Sequence, residues 1–410
     1  MPRLSTQLNA ATTSIGRFQP LLPYFIFLAF LLVMAPSLCA AQALGTGVPA
    51  FGMRHDYAVG LEPYGIATAD FNLDGNLDMV TANYIDSISV LIGAGHGIFH
   101  SHVDFPTGSS SPFGVATGDF NGDHYPDVVT ADNFGGVGNA GVSIFLNQAG
   151  VTFQAHQDYS AGLNPTAVAV GDFNHDGKLD LAVADLCDEP EFCSNGTVAL
   201  LLGNGHGTFG APAIFPEGTK YGGNPTSIAA GDFNGDHKLD VVLANWEARP
   251  GEFTVSVLLG NGDGTFQSSV DYLVGTNPRC AAVGDFNGDG KLDIVSANWY
   301  DNTVSVLLGN GDGTFQPQTV FPAGTNPWWV TAGDFNHDGK LDIAVTNNNP
   351  NQVNILPGKG DGTFLPPKPL STGSGPLSIV AADFDRNGSL DVATANYNAS
   401  SVTVLLNTQR

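Results

Sequence analysis

Seven times along its 410 residues the chain places Asp or Asn at the first, third, fifth and ninth positions of a nine-residue run. Oxygen ligands at that spacing suit a hard divalent cation. Ca2+ takes six to eight oxygens at short range, with carboxylates supplying most of the countercharge. Alternate side chains of a tight loop converge on one point, the seventh residue adds its backbone carbonyl, and a last Asp arrives from the next strand. The first two candidate sets are Asp70, Asn72, Asp74, Asn76 and Asp78, then Asp119, Asn121, Asp123, Tyr125 and Asp127. The third and fourth are Asp172, Asn174, Asp176, Lys178 and Asp180, then Asp232, Asn234, Asp236, Lys238 and Asp240. The last three are Asp285, Asn287, Asp289, Lys291 and Asp293; Asp334, Asn336, Asp338, Lys340 and Asp342; and Asp383, Asp385, Asn387, Ser389 and Asp391.

The seventh position has no shared chemistry, as expected of a residue that offers only its carbonyl and turns its side chain to solvent. Gly at the sixth position permits a left-handed turn. His124 and His237 replace that Gly, and Asn387 replaces the Asp at position five, so these three loops are expected to be the weakest. A single such loop is explained by an Asx-Gly turn without metal. Seven are not, because the acids crowded in each would repel one another without a cation. The loops hold 21 of the 39 acidic residues. Up to seven Ca2+ ions are therefore expected. An EF-hand is excluded, because it needs Glu at position twelve, where Thr81 and Ser296 stand in the first and fifth copies.

The elements that must hold these loops follow from their spacing. Successive starts lie 49, 53, 60, 53, 49 and 49 residues apart, and each period carries short β-branched runs bounded by Gly, Asn and Pro. In the fifth period they are Arg279–Val283, Asp293–Asn298, Thr303–Leu308 and Thr319–Phe321. Nothing between them is long enough for a helix. Four short antiparallel strands per period predict an all-β, seven-bladed β-propeller. The last copy stops at its third strand, Val402–Leu406, while Arg54–Gly60 matches fourth-strand segments such as Val270–Gly275. The N-terminal strand is thus expected to complete the last blade and close the ring. Phe at position two of every loop, and Leu at position eight of nearly every one, read as apolar pegs. The Gly-Asn-Gly-Asp-Gly runs read as hairpin turns.

Composition narrows the function classes. With 52 Gly, 25 Pro and 42% apolar residues the chain is turn-dense yet able to bury a core. Its 14 basic residues against 39 acidic ones leave a net charge of −25, with no basic footprint for nucleic acid. Residues 1–41 have the order of a secretory signal, with an apolar stretch from Leu21 to Ala35 and cleavage after Ala41 or Ala43. Residues 42–49 form a short linker and 50–410 the propeller, exported to the outside or the periplasm, without a membrane span once the signal is cut. The competing reading keeps the signal as an anchor. Cys187 and Cys193 flank a short loop and suit a disulfide in an oxidising compartment, whereas Cys280 reads as a buried free thiol. A monomer is expected.

The Asp-Phe-Asn-x-Asp-Gly-x-x-Asp loops resemble the FG-GAP repeats of integrin α-subunit propellers and the related VCBS repeats of secreted bacterial proteins. The resemblance covers about residues 50–410 and implies hairpins stiffened by Ca2+ on one face of a disc. It implies no single ligand. On the opposite face the residues after the second strand include Tyr84, Phe134, Trp246, Trp299 and Tyr397, each preceded by Asn. The turns before the first strand add Tyr64, Phe113, Arg279, Trp328 and Trp329, each of the first four directly after Pro. Aromatic planes beside amides suit sugar rings, so Tyr84, Phe134, Trp246, Trp299, Trp328 and Tyr397 are the candidate ligand residues. Blade-to-blade wedging is the competing role for them. Related propellers also include calcium-dependent lyases and phytases, which keeps an enzyme of anionic polysaccharide or phytate as the alternative. No nucleophile or general-base constellation stands out, since His96, His124, His175, His206, His237 and His337 occupy variable turn positions. The expectation is a non-enzymatic recognition or adhesion module for an extracellular glycan or protein.

Overall fold

The computed structural model describes residues 49–108, 111–133, 141–186, 196–216, 223–246 and 253–409. They form seven four-stranded antiparallel sheets, the blades of a β-propeller. In the fifth blade Pro278–Gly284, Asp293–Asn298, Thr303–Leu307 and Thr319–Pro322 pair in chain order, within a residue of the expected bounds at each end. The innermost strands are Pro63–Ala69, Pro112–Gly118, Pro165–Gly171, Pro225–Gly231, Pro278–Gly284, Pro327–Gly333 and Pro376–Ala382. Each packs against the innermost strand of the next blade, and the last packs back on the first. Phe51–Ala58 pairs with Ser401–Asn407, which completes the sheet of Pro376–Ala382 and Asp391–Asn396 from the other end of the chain. The ring is closed as expected.

Every residue of every second strand, Asp293–Asn298 among them, is buried. Both faces of a blade lie against neighbours, so these strands read as continuous apolar runs instead of alternating ones. The apolar contacts gather in seven clusters, each shared by two adjacent blades. No central core exists among the described residues, and stability is built interface by interface. Cys280 is a buried free thiol in one of these interfaces, and burial pushes its pKa up to about 12. Phe134, Cys187, Cys193 and the N-terminal segment through residue 48 lie outside the described residues.

Candidate functional site

The Asp-rich loops all leave the ends of innermost strands on one face. In the fifth, Asp285 accepts the backbone N–H groups of Asp289 (3.1 Å) and Gly290 (2.8 Å) on its two oxygens. Asn287 accepts from Asp289 at 2.9 Å, and Asp289 accepts from Lys291 at 3.0 Å. The loop beginning at Asp70 repeats this pattern. The sixth position is left-handed as expected, from Gly75 at φ 85° to His124 at φ 73° and His237 at φ 65°. The fourth position is left-handed too, in Leu73, Gly122, His175, Gly235, Gly288, His337 and Arg386. No shared residue type marks that requirement in the sequence.

The ninth-position Asp is wholly buried in all seven copies. Asp293 accepts the N–H of Phe286 at 2.9 Å and that of Gly309 at 2.8 Å, tying the loop to the end of the third strand. The other six make the same two bonds. Burial pushes the carboxyl up to about 6 in Asp78, Asp180, Asp240 and Asp293, and to about 7 in Asp127, Asp342 and Asp391. The two N–H donors oppose that shift, and the carboxylates at positions one and five, or one and three in the last loop, add to it. A carboxyl caught between burial and like charges is a site that a cation would relieve.

In the last loop Asp383, Asp385 and Asp391 bring carboxylate oxygens within 4.8 Å of one another, a set able to hold a metal ion. This is a loop the sequence ranked among the weakest. Asp385 at position three supplies the carboxylate that Asn387 lacks, so the charge count is kept. The seventh-position side chains also differ from expectation, since they do not simply point to solvent. Lys178 and Lys238 reach the position-five carboxylates at 3.1 Å, and Lys291 comes within 3.7 Å of Asp289. Their stems lie over glycines of the following hairpin turn, where a Cβ on Gly311 would sit 2.9 Å from Lys291. Ser389 donates to the Gln409 carbonyl and pairs with His337 at 2.8 Å.

The Phe pegs hold the ring more than the loop. The carbonyls of Phe71, Phe120, Phe173, Phe233, Phe286, Phe335 and Phe384 each accept a hydrogen bond from the next blade. The donors are Asn147, Gly207, Gly264, Gly313, Gly362, Asn407 and Gly97, at 2.8–3.3 Å. The rings follow the same path. Phe286 meets Phe364 edge-on at 5.8 Å, and Phe120 meets Phe209 at 5.6 Å. Leu at position eight crosses the interface the other way, Leu341 lying over Gly284 of the preceding blade. The Phe repeated after each of these turns, Phe99, Phe153, Phe209, Phe266, Phe315 and Phe364, was the available signal for these contacts.

On the opposite face one cluster takes in most of the expected aromatics. Arg279 is 8% exposed, and its guanidinium lies 4.1 Å from the ring centre of Trp246, 4.3 Å from Trp328 and 5.1 Å from Trp299. Tyr64 stacks on Phe113 at 4.1 Å and meets Trp328 at 6.4 Å and Tyr397 at 6.3 Å. Tyr84 joins through Phe113 at 5.5 Å. Tyr64 belongs to the first blade and Trp328 to the sixth, so their contact reaches past the seventh blade between them. Burial pushes the Tyr64 hydroxyl up to about 12. Tyr84, Trp246, Trp299, Trp328 and Tyr397 are all half-buried.

The neighbouring amides do not take the role expected of them. Asn245 donates to Thr254 (3.1 Å) and Ser256 (2.7 Å), and Asn298 to Thr303 (3.1 Å) and Ser305 (2.7 Å). They are buried and hold hairpins within their own blades. Arg279, seen in the sequence only as the residue after a turn proline, is the centre of the cluster instead.

Known proteins give the fold a context. The matched family model is the FG-GAP-like repeat, over residues 62–130, 131–183, 192–243, 238–296, 285–345 and 334–394. A curated relative, the T-cell immunomodulatory protein homolog of Plasmodium falciparum (isolate 3D7), is 38% identical over 76 residues, 18% of this chain. That match spans 11% of the relative's length. Among solved structures, BBS1N in complex with ARL6DN, in a mercury-soaked crystal, aligns with TM-score 0.58 at 11% identity, covering 88% of this chain and 97% of that one. A catalytically inactive virginiamycin B lyase from Staphylococcus aureus, with quinupristin, aligns at 0.57 and 13% identity, covering 86% and 98%. A functionally unknown protein from Desulfotomaculum acetoxidans DSM 771 aligns at 0.54 and 13%, covering 81% and 95%. At such identities the likeness is one of fold alone. With repeat matches over most of its length, the chain belongs to the FG-GAP-like repeat family.

Proposed function

We propose that this protein is an exported, calcium-stiffened recognition module whose glycan or protein ligand meets the aromatic face. One observation carries the reading. Five half-buried aromatic residues from separate blades meet in one cluster around Arg279, while the loop-face side chains are taken up by bonds within the ring. Seven buried ninth-position carboxyls, with Asp383, Asp385 and Asp391 converging, support Ca2+ as the ion of the loops. The cations then stabilise the disc, and recognition is the work of the other side. No helix of the described residues is long and apolar enough to cross a membrane.

The test is a glycan array read with Ca2+ and with EDTA, on the wild type and on Trp299→Ala. Ca2+-dependent binding that Trp299→Ala abolishes is the expected result. Binding unaffected by Trp299→Ala would move the ligand site off this face. Cleavage of polyuronate or phytate by the purified protein would replace the reading with an enzymatic one. In parallel, EDTA is expected to lower the melting temperature, because an ion bound only by the folded chain stabilises it by about 2.7 kcal/mol per site at a hundredfold excess over Kd.

A further inference from the structure

We propose that Lys178, Lys238 and Lys291 are built-in competitors of the loop cation, so that the loops of blades three, four and five fill after those of blades one, two and seven. This deepens the calcium part of the proposed function and rests on it. The first observation is what meets the free oxygen of the position-five carboxylate. In blades three to five, Oδ1 of that Asp accepts the backbone N–H of the lysine at 3.0 Å. Its Oδ2 faces the ammonium of the same residue, at 3.1 Å in Asp176, 3.1 Å in Asp236 and 3.7 Å in Asp289. One lysine thus engages both oxygens of a carboxylate that a hard cation needs. In the first two loops the same oxygen meets a neutral group, the Asn72 amide on Asp74 at 3.1 Å and the Asn121 amide on Asp123 at 3.0 Å. The last loop exchanges the pair and keeps the neutral donor, Asn387 reaching Oδ2 of Asp385 at 3.0 Å.

The second observation is that the ammonium is held where it stands. A Cβ on Gly205, Gly262 or Gly311 would come within 3.0, 2.7 or 2.9 Å of Cδ in Lys178, Lys238 or Lys291. Each stem is therefore laid along the following hairpin turn, which leaves only the charged head to meet the carboxylate. Lys340 lies on Gly360 in the same way without closing an ion pair to Asp338, and its loop is left out of the weaker class. A divalent ion arriving at Asp289 must displace the ammonium or share the oxygen with it, and either lowers affinity. An Asn amide carries no charge to repel the ion. The three lysine side chains are 37–44% exposed, so the repulsion is that of a surface pair doubled for a divalent ion, about three- to tenfold in Kd per site. Position seven then ranks the loops differently from position six, since the loop of His124 joins the tighter class.

The experiment strips the full chain of metal with EDTA, exchanges it into chelator-free buffer and titrates it with CaCl2 by calorimetry, at low and at moderate salt. The wild type is expected to show two classes of site. The triple variant Lys178→Met, Lys238→Met, Lys291→Met keeps the stems and removes the charges, and should tighten the weaker class about three- to tenfold. That gain should shrink as salt rises. The triple variant Lys178→Arg, Lys238→Arg, Lys291→Arg should keep both classes, and Lys368→Met, on an outer strand, controls for net charge. Melting temperatures give a second reading. The Met triple should melt below the wild type in EDTA, where the carboxylates have lost their counter-ion, and above it in calcium, where the ion has lost its competitor. A shift of one sign in both conditions makes the lysines merely structural and overturns the proposal. So does a Met-triple isotherm that superposes on the wild type, or a gain per charge matched by Lys368→Met. Calcium binding itself stands in each of those cases. A wild type that takes up no calcium and melts alike in EDTA removes the calcium reading and the proposal with it. Should the triple variant fail to fold, Lys238→Met alone is judged by the same reversal of melting order.

Discussion

The two faces of the disc treat repetition in opposite ways. On the loop face the same contacts recur in all seven blades: two N–H bonds to a buried Asp, and one bond from the next blade to a Phe carbonyl. On the other face Tyr64, Phe113, Thr166, Thr226, Arg279, Trp328 and Leu377 occupy equivalent places with no two alike except the threonines. Symmetry is what ring closure needs, since each interface must repeat at the same angle. A ligand does not share the ring's symmetry. The face that breaks the repeat is therefore the one suited to recognition.

The largest test of that contrast is Phe286→Ala. Phe286 is 1% exposed, meets Phe364 edge-on and receives the Gly362 hydrogen bond across the interface. Emptying that site should cost about 3–5 kcal/mol in a urea melt, as for other buried Phe truncations. Trp299→Ala, half-buried on the other face, is expected to cost about 1 kcal/mol or less while ligand binding is lost. Equal costs at the two sites would break the division of labour.

Asp293→Asn comes next. The amide keeps the shape but turns an N–H2 toward the N–H of Phe286 or Gly309, leaving a buried donor unpaired. The expected loss is about 1–3 kcal/mol even in EDTA. The calcium-dependent part of the melting temperature should also shrink, by roughly one site's share. If Asp293→Asn melts as the wild type in both conditions, the ninth position is neither staple nor ligand.

A third test concerns an irregularity on the aromatic side. Second strands end in Asn83, Asn245, Asn298, Asn347 and Asn396, but in Asp132 and Asp185 in blades two and three. In blade one the Asn83 amide donates to Ser89 at 2.8 Å, and the Ser89 hydroxyl donates to Asp104. In blade two Ser143 has one hydroxyl proton and two carboxylates in reach, Asp132 at 2.5 Å and Asp158 at 3.0 Å, with His156 on Asp158 at 2.6 Å. Burial pushes Asp132 up to about 7; the Ser143 and Thr130 hydroxyls and the His156 charge oppose the shift, and Asp158 adds to it. The folded chain therefore holds a proton that the unfolded chain releases near pH 4. Stability falls as pH rises from about 4 to about 7 on account of this group. Asp132→Asn should be nearly neutral at pH 4 and stabilising by about 1–3 kcal/mol at pH 8. A gain independent of pH would remove the proton from the account.

Much of this was legible in the residues because the loop face is repetitive. Blade number, strand order, closure by Arg54–Gly60 and the buried Phe pegs all follow from period and residue type. The aromatic face was readable only as a set of types. Which rings of different blades meet depends on side-chain direction at a single strand position, and that placed Arg279, not the Asn amides, at the centre of the cluster. The convergence of Asp383, Asp385 and Asp391 was hidden by reading each position separately. Exchanging Asn and Asp between positions three and five conserves charge, which a position-by-position comparison scores as a loss.

The smallest expected effect tests how far the loop face tolerates departure from its own pattern. His124 stands where five loops have Gly, at φ 73°, and its N–H still bonds Asp119 at 2.9 Å. Its imidazole lies 3.8 Å from that carboxylate and points mostly into solvent. Left-handed backbone costs a non-Gly residue about 1–2 kcal/mol, whereas Gly gives up about 0.5–1 kcal/mol in unfolded-state freedom. His124→Gly should therefore stabilise the chain by only about 0.5 kcal/mol in EDTA. With calcium present the gain should be the same, because the hydrogen bonds that shape the loop are already those of its Gly-bearing copies. A markedly larger gain in calcium would show that the imidazole, not the backbone, limits the ion at this loop, and that the symmetry of the face is broken there after all.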